Sequence, residues 1–184
     1  MAQYDVIIAG GGVAGLSAAI FLARANVRVA VFDRAESSLY RVERVYNYLG
    51  FPDGVGGGEL LDLGRRQASR FGAVVHDARI DAIALADGGF AVDAGGAAHR
   101  ASYCILASNK RTDLAVALGL ELGGHGNRFV RTDPTGATAV DRCYATGRIT
   151  GQPSQAVVSA GDGAKVAIAI IERIRGGYYV DHDT

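Results

Sequence analysis

The chain has 184 residues, enough for one domain that buries roughly 70% of its unfolded surface and too few for two complete ones. Acidic and basic residues balance at 19 each and form no polybasic run, so charge gives no reason to expect nucleic acid or an anionic membrane as partner. Its 26 glycines, with no tryptophan, point to close backbone approaches, either between packed elements or toward a bound small molecule.

Residues 6–23 carry no charge, which raises the question of an anchor or signal peptide. Three consecutive glycines at Gly10 to Gly12, and Asp5 where a signal peptide wants a basic residue, argue for a strand, a turn and a helix instead. "DVIIAGGG" opens with a β-branched run, "VAGLSAAIFLARAN" has helical spacing, and "VRVAVFD" returns to strand character. Together they predict a βαβ unit whose strands lack polar alternation, as in a parallel sheet covered on both faces.

"RAESSLYRVERVYNYLGFPDGVGGG" has no clean period and reads as an irregular excursion, while "GELLDLGRRQASRFGA" predicts an amphipathic helix ending at Gly72. "AVVHDARIDAIAL" then predicts one strand, and "GGFAVDAGGAAHRASYCILAS" a hairpin or meander leading into another buried strand. Beyond the polar break "NKRTD" come a short apolar segment, two strand candidates and turns at "GGHGN" and "DPTG". A long helix from Gln155 to about Arg175 closes the chain, apolar nearly all round and therefore expected to be buried.

Two cysteines, Cys104 and Cys143, lie far apart inside apolar strands, giving neither a disulfide framework nor a CxxC pair; buried thiols in a reducing, cytoplasmic setting are expected, and a dithiol role is not. His99, His125 and His182 fall in predicted turns or the tail, and with His76 they form no metal-ligand spacing.

Gly10-x-Gly12-x-x-Gly15 directly follows a strand and opens a helix, and Asp33 ends the second strand 18 residues after Gly15. The first glycine permits the turn, the second lets a pyrophosphate touch the backbone, and the third lets helix pack on strand. The helix start, with Val13 and Ala14, supplies free N–H groups, and Asp33 would accept from a ribose hydroxyl. These residues fit NAD or FAD equally. Arg34 would meet a 2′-phosphate or stand as a solvated surface charge.

The segment "DRCYATGRITGQPSQAVVSAGDGAKVAIAI" resembles the C-terminal flavin-binding segment of thioredoxin reductases, where a strand ends in an A-[AT]-G-D turn and a Gln-Ala pair opens the last helix. Here the turn is Ala145-Thr146-Gly147-Arg148 and the pair is Gln155-Ala156. "NYLGFPDGVGGGEL" is similar to a further stretch of that family through Asn47, Tyr48, Gly50, Phe51, Pro52 and Gly54. The resemblance runs from about Tyr4 to Gly176. It implies an α/β fold, a Rossmann-like FAD-binding domain with a central parallel sheet and a β-meander.

The family carries an NADPH domain, with a second glycine fingerprint and a redox CxxC, inserted in its FAD domain. Neither motif stands in this chain, and "ILASNKRTD" passes from the family's strand end, with Ala107 kept and Ser108-Asn109 replacing Thr-Gly, straight into the later half. Residues 1–184 are therefore expected to form a single FAD-binding domain, halves 1–108 and 111–184 joined where the insertion would be.

By the resemblance, FAD contacts Gly10, Gly12, Val13, Ala14, Gly15, Asp33, Arg34, Asn47, His76 near adenine, Ala107, Ser108, Gly147, Arg148, Gln155, Ala156 and Val157. Arg148 stands where the family has an aspartate; a guanidinium only donates, so it either donates to the pyrophosphate or the reduced flavin, or turns to solvent. Two functions remain open. One is an FAD-dependent oxidoreductase supplied by an external donor, either diffusing NAD(P)H or a protein partner, without a CxxC of its own. The other is a non-catalytic flavin-binding module for redox sensing or electron relay. The resemblance also implies a homodimer.

Overall fold

The computed structural model describes residues 2–180. Strand β1 (Ala2–Ala9), helix α1 (Val13–Arg24) and strand β2 (Val29–Phe32) form the expected βαβ unit, with β1 and β2 parallel and Val6 to Ala9 paired to Val29 to Phe32. The excursion after β2 contains a 3-10 turn, Ser38–Arg41, and a single bridge from Val45 to Val55. Helix α2 (Gly57–Arg70) follows and is closed by Phe71 and the left-handed Gly72.

The segment read as one strand is two. β3 (Val74–His76) extends the parallel sheet beside β2, and β4 (Ile80–Ala86) belongs to the meander. Alternation of apolar residues continues across Asp77 to Arg79, so the pattern carries no mark of the break. β5 (Gly89–Ala94) and β6 (Ala97–Leu106) complete the meander in antiparallel register. Helix α3 (Asp113–Ala117), the short pair β7 (Leu122–Gly123) and β8 (Phe129–Val130), then β9 (Cys143–Ala145) and helix α4 (Ala156–Arg175) close the chain.

The main sheet runs β3-β2-β1-β6-β5-β4, with β9 also paired to β6. β6 is the shared spine: from His99 to Leu106 it pairs in parallel with β1, its first half, to Ala101, pairs with β5, and its last three residues pair with β9. Alternation along β1 divides the core. Val6 and Ile8 pack with Leu22, Val166 and Ile170 under α1 and α4, while Ile7 and Ala9 join Phe90, Val92, Leu106 and Leu114 under the meander and α3.

α4 buries one face rather than its whole circumference. Asp162, Gly163, Val166, Ala167, Ile170 and Ile171 are buried, whereas Val157, Lys165 and Ile174 are exposed, so its small and apolar composition overstates its burial. A Cβ on Gly163 would strike the Ala14 carbonyl oxygen, so glycine is what lets α4 cross α1 backbone to backbone. This crossing brings the last helix beside the glycine turn of the first.

Candidate functional site: a cavity between the two ends of the chain

The C-terminal ends of β1, β2, β6 and β9 open on one cavity of about 350 Å³. Crevices outside the carboxyl ends of parallel strands are where open α/β sheets bind ligands. Its walls include Gly10, Gly12, Val13 and Ala14 from the glycine turn, Asp33 and Arg34 after β2, Ala107 and Ser108 after β6, and Gly147, Arg148, Gln155 and Ala156 from the closing segment.

Each glycine of the turn has its own task. Gly10 has φ +115°, and a Cβ there would come within 2.5 Å of the Ala107 carbonyl, so the turn after β1 presses on the end of β6. A Cβ on Gly15 would strike the Gly10 carbonyl, which makes it a packing glycine outside the cavity lining. Gly12 faces open space, the nearest atom to a Cβ being Ser37 Oγ at 3.6 Å; this is a backbone left bare toward the cavity. No side chain caps α1, so its first N–H groups point at that space.

Asp33 is buried and accepts from the Ala35 N–H at 3.2 Å and from Arg65 of α2, both through Oδ2. The arginine fixes the carboxylate through Oδ2 and leaves Oδ1 without a partner among the described residues. Arg65 was not among the sequence-derived site residues. The contact spans 32 positions, and an arginine on an amphipathic helix carries no local sign of it.

The closing segment is fixed by a second acid that the sequence reading missed. Asp162 of α4 accepts from the Thr146 hydroxyl at 2.8 Å and the Gly147 N–H at 2.7 Å, and pairs with Lys165 at 2.8 Å. Burial works against its charge, but Lys165, the Gly147 amide and the Thr146 hydroxyl together hold its carboxyl below the usual carboxylate range. An acid flanked by Gly161 and Gly163, the first charge along the helix, was the available signal.

Gly147 takes φ +74° and lies close to Ala14, 2.9 Å from where a Cβ would stand, so the turn carrying Arg148 sits directly against the start of α1. Arg148 is half-buried and lines the cavity, and its guanidinium has no hydrogen-bond or ion-pair partner among the described residues. Gln155 does not cap α4. Its Oε1 accepts from Asn47 Nδ2 at 3.0 Å, tying the excursion to the helix start and leaving the first N–H groups of α4 free.

Gly15, Asn47, His76 and Val157 are not among the lining residues. His76 stacks on Phe32 at 4.6 Å and bonds to the Tyr4 hydroxyl at 3.0 Å, with His99 5.6 Å away; burial and then His99 hold its imidazole below the ordinary range. His99 is not in a turn but in β6, buried, with Nδ1 lacking a partner. His125 lies in the turn before β8, and His182 falls outside the described residues.

The donor set suits a diphosphate. Arg34, Arg79, Lys110, Arg111 and Arg148 line the cavity against only Asp33 and Glu36, while the buried Oδ1 of Asn109, without a partner among the described residues, offers an acceptor suited to a ligand hydroxyl or N–H and not to phosphate. Bare Gly12 and two uncapped helix starts add N–H donors without side-chain bulk.

What sets the class is that both ends of the chain meet on this cationic cavity, one bringing a strand-turn-helix glycine fingerprint and the other an uncapped helix start. This is a dinucleotide-binding domain of Rossmann type. The FAD dependent oxidoreductase family matches residues 5–39, and thioredoxin reductases match far more of the chain. The protein is a thioredoxin reductase-like FAD-binding protein.

The thioredoxin reductase of Chlamydia trachomatis serovar D is 31% identical over 188 residues, covering 99% of this chain and 58% of the relative. That of Mycolicibacterium smegmatis is 41% identical over 106 residues, covering 56% of this chain and 34% of the relative. The matches thus span from a third to somewhat more than half the length of these curated relatives. In fold, the thioredoxin reductase structure from Gloeobacter violaceus superposes with a TM-score of 0.88 at 18% identity, covering 100% of this chain and 99% of that one.

Proposed function

We propose that the protein is an FAD-dependent oxidoreductase that receives electrons from outside the chain, from diffusing NAD(P)H or a protein donor, and passes them on without a CxxC of its own. The observation that carries this reading is the join after β6. The strand ends at Leu106, Ser108 Oγ bonds to the Arg111 carbonyl at 2.6 Å, and α3 begins at Asp113, so no second nucleotide-binding lobe stands between the two halves of the cavity. Residues 1–184 form a single FAD-binding domain, with halves 1–108 and 111–184 meeting where thioredoxin reductases insert an NADPH domain.

In this reading Gly10, Gly12 and the first N–H groups of α1 hold the pyrophosphate, Asp33 Oδ1 takes a ribose hydroxyl, and Arg34 flanks it. His76 stands behind Phe32 on the adenine side. Ala107 and Ser108 would form the floor, while Gly147, Gln155 and Ala156 would flank the ring. Bound there, FAD accepts and returns an electron pair. The α4 start favours negative charge on the reduced ring, and Arg148 adds a fixed cation to the same wall. Asn47, through Gln155, keeps that wall in place. The reduced cysteines suit a cytoplasmic setting, and the exposed Tyr46 and Leu49 offer apolar surface for a donor or for a second copy in a homodimer.

The test is anaerobic mixing of the purified yellow protein with NADH and then NADPH. Bleaching of the flavin band within seconds supports the enzyme fed by a nicotinamide. Colour that persists with both, yet is lost to a chemical one-electron donor, supports a protein donor or a relay module without turnover. A preparation that is colourless and takes up no FAD contradicts the reading.

A further inference from the structure

The two cysteines that the sequence separates by 39 positions are direct register partners in the fold: Cys104 of β6 stands opposite Cys143 of β9. Both are fully buried, and both project to the same side of the sheet, into the core under the meander and α3. Adjacent parallel strands lie about 4.8 Å apart, within the roughly 4.4–6.8 Å Cα separation that a disulfide spans. We propose that Cys104 and Cys143 form a redox-active pair that closes to an intramolecular β6–β9 disulfide, stapling together two neighbouring strands whose ends both lead into the cofactor cavity.

The position gives the bond its consequence. Three residues beyond Cys104 stands Ala107, and three beyond Cys143 stands Thr146, both lining the cavity. β9 is only three residues long, and beyond β6 it is held by one isolated bridge, Ala137 to Tyr144, with flanking backbone bonds from Thr138 and Ala145. All three of its residues are buried, so a small oxidant reaches the pair only when this short strand parts from β6, and the covalent link would hold that joint closed.

The thiols are unequal. Facing each other, they are pushed in opposite directions: Cys104, then Thr138, favours the thiolate at Cys143, while Cys143 and burial push Cys104 up. With a peroxide as oxidant, the Cys143 thiolate attacks one oxygen, the O–O bond breaks, and a sulfenic acid forms as hydroxide leaves and becomes water. Cys104 sulfur then attacks the sulfenic sulfur and the S–O bond breaks. The departing hydroxide takes the Cys104 proton, giving a second water. Two thiols lose two electrons and two protons; the peroxide is reduced to two waters.

This inference is independent of the cofactor reading and holds for the chain with or without FAD. Reduced protein freed of reductant is treated with excess hydrogen peroxide, unfolded, alkylated with iodoacetamide and weighed intact. The expected product is a monomer lighter by two hydrogens that takes no alkyl group, regains two after dithiothreitol, and yields a linked β6–β9 peptide on digestion. Its melting temperature should exceed that of the reduced protein, and Cys104→Ser should instead leave a sulfenic acid at Cys143 that dimedone traps. Two alkylatable thiols after peroxide, a sulfinic acid, or only intermolecular dimers would overturn the pairing. A disulfide that forms but leaves the melting temperature unchanged or lower would overturn the staple.

Discussion

Arg148 is the residue whose chemistry departs furthest from what its position suggests. An acid in an A-[AT]-G-D turn accepts, whereas this guanidinium only donates, and it lies half-buried in a cavity wall with no protein partner among the described residues. In the proposed reading its charge is kept for the cofactor. Arg148→Ala should weaken FAD binding about tenfold, roughly 1.4 kcal/mol, and lower the flavin midpoint potential; titration calorimetry and a dye-coupled redox titration measure the two. Asp162 makes the complementary case. Its carboxylate, and not one beside Gly147 in sequence, holds the Gly147 amide. Asp162→Ala leaves a buried N–H without an acceptor and should cost about 1–3 kcal/mol in urea unfolding, with faster loss of flavin.

Among the elements, the crossing of α1 and α4 is the joint on which the cavity depends. Gly163→Ala puts a Cβ onto the Ala14 carbonyl, so the two helices must separate. The expected penalty is about 1–3 kcal/mol, with reduced FAD retention as the cavity walls part. The His76 cluster ties β1, β2, β3 and β6 together through Tyr4, Phe32 and His99. Because the folded protein holds His76 below its ordinary value, the unfolded chain binds the proton more readily. Its contribution is therefore present above roughly pH 6.5 and is lost as the pH falls below that value. Melting curves from pH 7.5 to 5 should show wild type losing more stability than His76→Phe, which keeps the stack on Phe32.

The sequence announces these elements unevenly, for physical reasons. The βαβ unit was legible because its turn chemistry, its two periods and its terminal acid all agree. The break between β3 and β4 was not, since apolar spacing runs on through a change of sheet direction. α4 was legible as a helix but not in its burial, because apolar Val157 and Ile174 stand exposed on its outer face. The glycine turn and Asp33 announced themselves through local pattern, and the Arg148 turn through its resemblance to the thioredoxin reductase segment. Arg65, Asp162 and the Cys104–Cys143 pairing did not, because each exists only once the chain has folded back on itself.

At the scale of the whole molecule, the two ends of the chain build one cavity and the middle supplies the meander that braces it. The short join from Ser108 to Asp113 lets β6 carry both halves. Under the proposed function this arrangement leaves the cavity open on the side where a nicotinamide lobe would stand. Electrons must then come from a separate molecule, and the rate of flavin reduction should rise in proportion to donor concentration until donor binding saturates. Stopped-flow reduction over a range of donor concentrations measures this. A reduction rate independent of donor concentration from the outset would point to an internal source.

The central claim, that bare Gly12 and the paired helix starts together hold one FAD, is tested most directly by the flavin content of the purified protein after saturation with FAD and removal of the excess. The account predicts one non-covalent FAD per chain with a flavin absorption spectrum, and its loss in Gly12→Val, whose side chain fills the space over the turn, while the variant keeps the wild-type circular dichroism. A wild-type protein that folds but retains no flavin, or a Gly12→Val protein that retains it fully, would contradict the account.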